Sequence, residues 1–530
     1  MSTATTQAPA QAPGLAVDVK IVPAGERSPL RTDIAGFIGR TLRGPQCRVR
    51  VQGQNGFNAT FGDSWLNGAV TPYAVNGYFE NEGKVAHIIR VAGPGSQSAS
   101  ALWDLTAKQN QPPPPALASG FCHARYRFSA SSPGAWANGA QVTLTYRRQG
   151  VAGTPTVDVV TTAADETPET IRGIAPEHFA KQINDSSTLI HVSGVGSEQA
   201  AFGLGSLLAT TTLTLSGGID DEPTAQSYLD AIQTMGDERE VAFLAMPDLF
   251  DDIAGGDERL DIIAAAVALA DQQMDRLVLV DVPSDLSASR DVMAWVAKLR
   301  SACIAASSAN DPDTPRSAVV YHPWLWVPDP NGTTLAEARK LLPPSGHVAG
   351  LISRLDRQRG AYYTPANAPV LQAVDIAQGV RASDRAVLNE AGVNLIRCFP
   401  NQGLLVWGGR TLGTQPGDIF VAHRRLLHRL VRAIRAVAEP LVFDVNGPQL
   451  WLTLVRAITT VLLQAYRSGA LAGASPAEAF TVQCDDQTNT PDAIAAGRVL
   501  CLVSVAPATP MEFIQLQVTL DTLGRVGVSQ

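Results

Sequence analysis

Lysine is nearly missing from this chain. Of 41 basic residues in 530, six are lysine and 35 are arginine. Arginine suits planar, bidentate pairing with carboxylates at protein interfaces, although high genomic GC content gives the same bias. Basic charge is also short overall: the net charge of -8 argues against a dedicated nucleic-acid binder, which needs a basic domain for phosphate. The six cysteines, Cys47, Cys122, Cys303, Cys398, Cys484 and Cys501, contain no C-x-x-C pair. That disfavours a zinc or redox motif and fits a reducing cytoplasm. No uninterrupted apolar run reaches the roughly 18 residues that span a bilayer. The amino-terminal MSTATTQAPAQAPG has neither the basic nor the apolar region of a secretory signal. The expectation is a soluble protein made in the cytoplasm, without direct membrane insertion, that leaves the cell, if it does, by another route.

Enzymatic signatures are missing too. There is no G-x-S-x-G; GLGSL at 203–207 lacks the second glycine. Neither H-E-x-x-H nor an EF-hand loop occurs. GLLVWGGRT at 403–411 approaches the phosphate-gripping G-x-x-x-x-G-K-[ST], but Gly409 stands where the Lys belongs and Arg410 where the hydroxyl belongs. In PPSGHVAG at 343–350, His347 suggests an anion loop entering a helix, against the plainer reading of a Ser that caps a helix after a Pro-Pro turn.

At 45% hydrophobic and 17% charged residues the chain is globular, and its length predicts three or four units at roughly 150 residues each. Residues 1–13, rich in Ala, Thr, Gln and Pro, read as disordered. In GLAVDVKIV, Leu15, Val17, Val19 and Ile21 alternate with other residues at the period of a strand, and no hairpin turn follows to give it a local partner. Residues 34–91 read as mixed α/β. Four prolines at 112–115 mark a stiff boundary, and Thr/Val-rich alternation through about 215 marks a mostly β module.

The middle differs. The apolar strands VAFLAMPD (241–248), RLVLVDVP (276–283) and SAVVYHPW (317–324) alternate with helical stretches such as LDIIAAAVALADQQM and RDVMAWVAKLR. Such alternation predicts a parallel sheet covered on both faces. Ligands of parallel sheets sit beyond the carboxyl ends of the strands. There Asp248, Asp281 and His322 offer an acid–base or metal set, the basis of an alternative reading as an α/β enzyme.

Two long amphipathic helices follow. In RRLLHRLVRAIRAVA, Leu427, Leu430 and Ile434 share one face while Arg425, Arg429, Arg432 and Arg435 stripe the other. In PQLWLTLVRAITTVLLQAYRSG, Pro448 opens a helix that Gly469 stops. The closing EFIQLQVTLDTLGRV alternates Ile514, Leu516, Val518 and Leu520 with polar residues, a second terminal strand resembling the first.

Several ordered segments together resemble one family, the sheath proteins of contractile phage tails and contractile injection systems. They include PGLAVDVKIVP, AGFIGRTLRGP, SWLNGAVTPYAVNGYFENEGKVAHIIRV, SSPGAWANGAQVTL, LSGGIDDEPTAQSYLDAI, AFLAMPD, YHPWLWV and LPPSGHVAGLISRLDRQRGAYYTPAN. LNEAGVNLIRCFPNQGLLVWGGRTL, VFDVNGPQLW, GALAG and PMEFIQLQV complete the series. Two departures are NEG at 81–83 for the commoner NGG and GGR for GAR. Amino and carboxy parts lie in one chain, as in single-chain sheaths.

The resemblance implies an α/β and α+β multidomain chain, with a parallel-sheet subtilisin-like α/β core, an inserted β-rich domain, an α/β C-terminal domain and extended terminal strand arms. The implied divisions are an amino-terminal arm at 1–24, an inner sheath region at 25–92, the insert at 93–215, the subtilisin-like sheath domain at 216–400, a carboxy-terminal domain at 401–510 and a closing arm at 511–530. "Subtilisin-like" there describes a fold, not an activity: no catalysis, cofactor or metal is implied. What is implied is a structural subunit, assembled in the bacterial cytoplasm into a phage tail or phage-tail-like particle. Its partners would be further copies of itself, an inner tube protein, and baseplate and terminal cap proteins, without nucleic acid. Hexameric rings would stack around the tube and contract to drive it through a target membrane. The arms, through Leu15, Val17, Val19 and Ile21 and through Ile514, Leu516, Val518 and Leu520, would join a sheet of neighbouring copies. Tube contact calls for charge pairs weakened by salt, which makes the stripe of Arg425, Arg429, Arg432 and Arg435 the candidate tube-facing surface.

Overall fold

A computed structural model describes residues 31–62, 68–104, 125–148, 155–164, 166–175, 178–194, 210–307, 311–334, 338–441, 444–495, 499–508, 517–520 and 526–529. Leu15, Val17, Val19, Ile21, Ile514 and Leu516 therefore lie outside the described residues.

The apolar strands of the middle assemble into a nine-stranded sheet. Six parallel strands form its centre, in the spatial order Val393–Phe399, Ala318–His322, Leu277–Asp281, Phe243–Ala245, Ala35–Gly39 and Val85–Arg90. Antiparallel strands close both sides. Val49–Gln52 pairs with Val85–Arg90 at one, while Gly403–Trp407 and then Ala368–Pro369 follow Val393–Phe399 at the other.

Successive residues on each strand point to opposite faces, and both faces are covered. On one, Ile38, Leu244, Val278, Val280, Val320 and Leu395 share a core with the helices Ala225–Gly236, Gly256–Gln273 and Ser289–Ala306. On the other, Phe37, Phe243, Leu279, Val319, Tyr321 and Ile396 lie with Gly53–Phe61, Thr71–Glu80 and Ser345–Arg359. The near-continuous apolar runs of the strands follow from this double burial. The Thr71–Glu80 and Ser345–Arg359 helices approach so closely that a Cβ on Gly350 would stand 2.4 Å from the Tyr78 carbonyl oxygen.

Between Val85–Arg90 and Ala225–Gly236 the chain builds a separate β unit. Ser100–Asp104, Arg125–Ala130 and Ile190–Gly194 form one antiparallel sheet. Thr211–Thr214, Gln141–Arg148, Pro155–Thr162 and Glu169–Ile174 form another. Alternate residues such as Val142, Leu144, Val157 and Val159 turn into a shared core with Trp103, Phe128 and Phe179. A buried ion pair, Arg43 to Glu166 at 2.8 Å, ties the unit to the main body.

After Trp407, the Val421–Ala438 helix packs Leu426 and Leu430 against Ile458 and Leu462 of the Pro448–Arg467 helix. An antiparallel pair, Phe480–Gln483 with Leu502–Val505, lies against the same cluster. Gln517–Leu520, which carries Val518 and Leu520, pairs antiparallel with Val526–Ser529. The last strand thus has a partner in its own chain, where its sequence suggested only a distant one. The division at 400 falls inside the hairpin of Val393–Phe399 and Gly403–Trp407. Residues 25–92 supply three strands to the sheet that the 216–400 stretch dominates.

Candidate functional site

The acid–base candidates do lie at the carboxyl edge of the parallel strands, but their polar atoms are turned to the backbone. Asp248, fully buried, accepts the N–H of Arg40 at 2.7 Å, of Thr71 at 3.3 Å and, closely, of Val70. It thereby caps the Thr71–Glu80 helix from a different segment. Asp281 accepts the N–H of Ser345 at 2.9 Å, the first residue of the Ser345–Arg359 helix. The capping acceptor of that helix is therefore Asp281, and Ser345, expected as the cap, is the capped residue. A helix amino terminus exposes unpaired N–H groups; Asp248 answers two at one helix start and Asp281 one at the other.

Burial explains the titration of these groups. It pushes the Asp281 carboxyl up to about 7 and drops His322 to about 4, since both lose water around their charged forms. Asp252 rises to about 7, from burial and then from neighbouring Asp248, while it pairs with Arg40 at 2.6 Å and accepts the Tyr228 hydroxyl at 2.7 Å. His347, fully buried, falls to about 4, again mainly from burial. Among the described residues no hydrogen bond links Asp248, Asp281 and His322 to one another. No group of three metal-binding side chains occurs there either. The arrangement closes the sheet edge with helix caps and does not assemble a converging acid–base set.

GLLVWGGRT also takes a structural role. Gly403–Trp407 is a strand, and the chain turns at Gly408, where a Cβ would stand 2.8 Å from Asn394 Oδ1. The Arg410 N–H donates to Asn394 Oδ1 and the Asn394 amide donates to the Arg410 carbonyl, both at 2.7 Å. The backbone that a phosphate would need is already bonded. Trp407 is 44% exposed, with Phe399 at 4.8 Å and the Arg397 guanidinium at 5.5 Å. It sits near the sheet's rim, where, among the described residues, one two-residue strand follows.

The arginine stripe requires the largest correction. Arg432 is buried and its guanidinium makes five hydrogen bonds, to the carbonyls of Arg31, Glu240, Val241 and Asp275 at 2.6–3.2 Å. Arg425, also buried, pairs with Asp356 at 2.5 Å, donates to the Thr32 carbonyl at 3.2 Å and lies over the Phe243 ring at 5.0 Å. Arg435, half-buried, donates to the Gln273 carbonyl at 2.6 Å and reaches Asp275 at 3.4 Å. Arg429 is half-buried. Two of the four are thus spent inside the chain and are no solvated stripe. The acceptors precede the strands Ala35–Gly39, Phe243–Ala245 and Leu277–Asp281, so the Val421–Ala438 helix lies along the amino edge of the parallel sheet.

Sequence reasoning missed other members of this seam. Arg424, 1% exposed, pairs with Asp418 at 3.2 Å and Asp271 at 3.8 Å. Arg276 donates to Asp275 and to the carbonyls of Met235, Gly236 and Glu238. His428 is held well below the ordinary histidine range by burial and by the guanidiniums of Arg424, Arg432, Arg425 and Arg276. It is neutral among cations. One signal was available: Arg425, His428, Arg432 and Arg435 recur at three- and four-residue spacing, a single helix face.

Residues 221–412 match the family model of the phage tail sheath protein central domain. A stretch of 352 residues, 64% of the chain, is 22% identical to the tail sheath protein of Salmonella phage ViI and covers 49% of it. The matches span no more than about half the length of the curated relatives. The fold is similar to the anti-feeding prophage helical sheath in its contracted state, with TM-score 0.55 and 20% identity over 97% of this chain and 100% of that one. It is also similar to the contracted PVC sheath complex of an extracellular contractile injection system, with TM-score 0.53 and 18% identity over 98% and 100%. The likeness to contractile tail sheath proteins read in the ordered segments is upheld by family model, relatives and fold together.

Two outcomes follow from the edges. Arg432→Met strands four buried carbonyls and should cost about 2–4 kcal/mol of stability, whereas Arg435→Ala, at a half-exposed site, should cost less than about 1 kcal/mol; urea unfolding of the two variants measures the contrast. Asp281 keeps its proton in the folded chain above the pH at which the unfolded chain loses it, so its contribution is complete at low pH and is lost as pH rises towards about 7. Asp281→Asn removes that loss, and the stability of wild type relative to the variant should fall by on the order of 1–3 kcal/mol between about pH 5 and about pH 8. Parallel pH profiles would contradict the assignment.

Proposed function

We infer that this relative of the tail sheath proteins, with their central domain at 221–412, is a structural subunit of a contractile sheath. In this reading it polymerises as hexameric rings in a helical sheath around an inner tube, built on a baseplate in the bacterial cytoplasm and finished by a terminal cap. Contraction then drives the tube through a target membrane. The observation that carries the reading is the match of nearly the whole chain to a sheath in its contracted state. The subtilisin-like assignment of the parallel-sheet core belongs to the same reading and concerns shape alone, because Asp248 and Asp281 are occupied as helix caps.

Subunit linkage by strand addition has physical support in the carboxy-terminal layer. Phe480–Gln483 and Leu502–Val505 form a sheet of only two strands, with no further strand paired at either outer edge among the described residues. Open edges present unpaired N–H and C=O groups that an extended segment can complete. A ten-residue arm spans roughly 33 Å, enough to reach an adjacent copy. Links of this kind let subunits rotate as rigid bodies without dissociating, and the work of contraction is stored in contacts between subunits that form only in the short state. No helix among the described residues is long and apolar enough to cross a membrane; in this reading the crossing belongs to the tube.

Deletion of residues 1–24 or of 511–530 should leave a folded monomer that does not polymerise. Negative-stain microscopy checks this: the full chain should give cogwheel tubes and each truncation only single particles, and normal sheaths from either truncation would contradict the arm assignment.

A further inference from the structure

Cys484 and Cys501 are 17 positions apart in a sequence without any C-x-x-C, yet the fold sets them face to face. The antiparallel ladder pairs Phe480 with Val505, Thr481 with Ser504, Val482 with Val503 and Gln483 with Leu502. One further step of that register places Cys484 opposite Cys501. Directly opposed residues of an antiparallel pair have Cα atoms about 4.5–5.5 Å apart, inside the range of about 4.4–6.8 Å that a disulfide bridges. Both side chains turn to the same apolar cluster, with Leu450, Trp451 and Leu454. Both thiols are free in the structure.

Side chains of described residues next to the two cysteines hold both ends in place. Asn489, 1% exposed, accepts the Leu500 N–H at 2.7 Å and donates to the Leu500 carbonyl at 3.2 Å, fixing the residue beside Cys501. The same amide nitrogen lies 3.6 Å from Cys484 Sγ. Asp485 holds the turn that follows Cys484 by accepting the N–H groups of Gln487 and Thr488, each at 3.0 Å. One side chain, Asn489, thus touches both ends of the loop.

We propose that Cys484 and Cys501 are a redox clip, a dithiol that closes to a cross-strand disulfide and fixes the two-stranded sheet of Phe480–Gln483 and Leu502–Val505. The oxidant is a low-molecular-weight disulfide. The half-buried Cys501 loses its proton and its sulfur attacks one sulfur of the oxidant, releasing one small thiol. Cys484 then loses its proton and attacks Cys501 Sγ, breaking the mixed disulfide and releasing the second thiol. The two protein thiols are oxidised, the oxidant is reduced to two thiols, and the two protons end on them. Burial pushes the Cys501 thiol up to about 12, which leaves little thiolate at neutral pH. The clip therefore closes slowly and, once closed, is shielded from reduction. Its consequence for polymers rests on the proposed role of this sheet as an acceptor of neighbouring strands; the disulfide itself does not.

The test incubates the full-length chain with oxidised glutathione at mildly alkaline pH, then maps disulfides by peptide mass spectrometry after alkylation. The expected product is a Cys484–Cys501 peptide, lighter by two hydrogen atoms than its reduced parts, while Cys47 and Cys398, both exposed, carry glutathione or alkyl groups. In urea the ratio of this disulfide to mixed disulfide at Cys501 should drop at least about tenfold, because the fold supplies the effective concentration. Cys484→Ser should leave glutathione trapped on Cys501; if that variant fails to fold, the native-to-urea ratio in wild type decides alone. Full alkylation of both thiols in the native chain, or preferred pairing of either with another cysteine, would overturn the clip. Failure of the sheath reading shows up separately, as a clipped chain that forms no tubes in either redox state.

Discussion

Arg432 carries five N–H groups into the interior, and all five find backbone carbonyls. A buried guanidinium without partners is among the most costly groups a fold can hold, so this position specifies its surroundings. Its acceptors, at Arg31, Glu240, Val241 and Asp275, come from three segments, each entering a different strand of the parallel sheet. Arg425 and Arg424, on the same helix as Arg432, add carboxylate pairs with Asp356, Asp418 and Asp271 from other segments. The opposite, leucine-bearing face of that helix packs on Pro448–Arg467. One helix thereby joins the sheet to the carboxy-terminal layer, with hydrogen-bonded charge on one side and apolar packing on the other.

The opposite edge of the sheet is closed by a different device. Asp248 and Asp281 each cap a helix that covers the sheet. Buried arginines at the amino edge and buried carboxyl groups at the carboxyl edge thus turn their polar atoms to the backbone of the same chain. In the proposed sheath role, bonding between copies would fall to the periphery, such as the two-stranded sheet near the carboxy terminus and the rim where Trp407 is exposed. A sheath subunit that turns as a unit while its links persist needs that division, a rigid interior with bonding capacity at its margins.

Much of this was legible in the sequence. Double burial makes parallel strands read as continuous apolar runs, so VAFLAMPD, RLVLVDVP and SAVVYHPW announced the sheet, and the long helices followed from their period. The chemistry at the edges was not legible, because a buried Asp cap and a catalytic Asp occupy the same place at a strand end and differ only in what faces them. The arginine stripe was misread for a related reason. Periodicity shows that Arg425 and Arg432 share a side of the helix, but not that carbonyls from residues some 150 to 400 positions away in sequence lie against it. Cys484 and Cys501 escaped notice because only strand register brings them together.

Hydrogen exchange measured on the long and short forms of the polymer tests the rigid interior most directly. Amides of Val421–Ala438, Leu277–Asp281 and Ala318–His322 should keep the same protection in both forms, with differences confined to the terminal segments and the region around Phe480–Val505. Faster exchange of Val421–Ala438 in one form, by more than about tenfold, which corresponds to roughly 1.4 kcal/mol, would show that the arginine seam opens during the transition and would contradict a subunit that moves as one body.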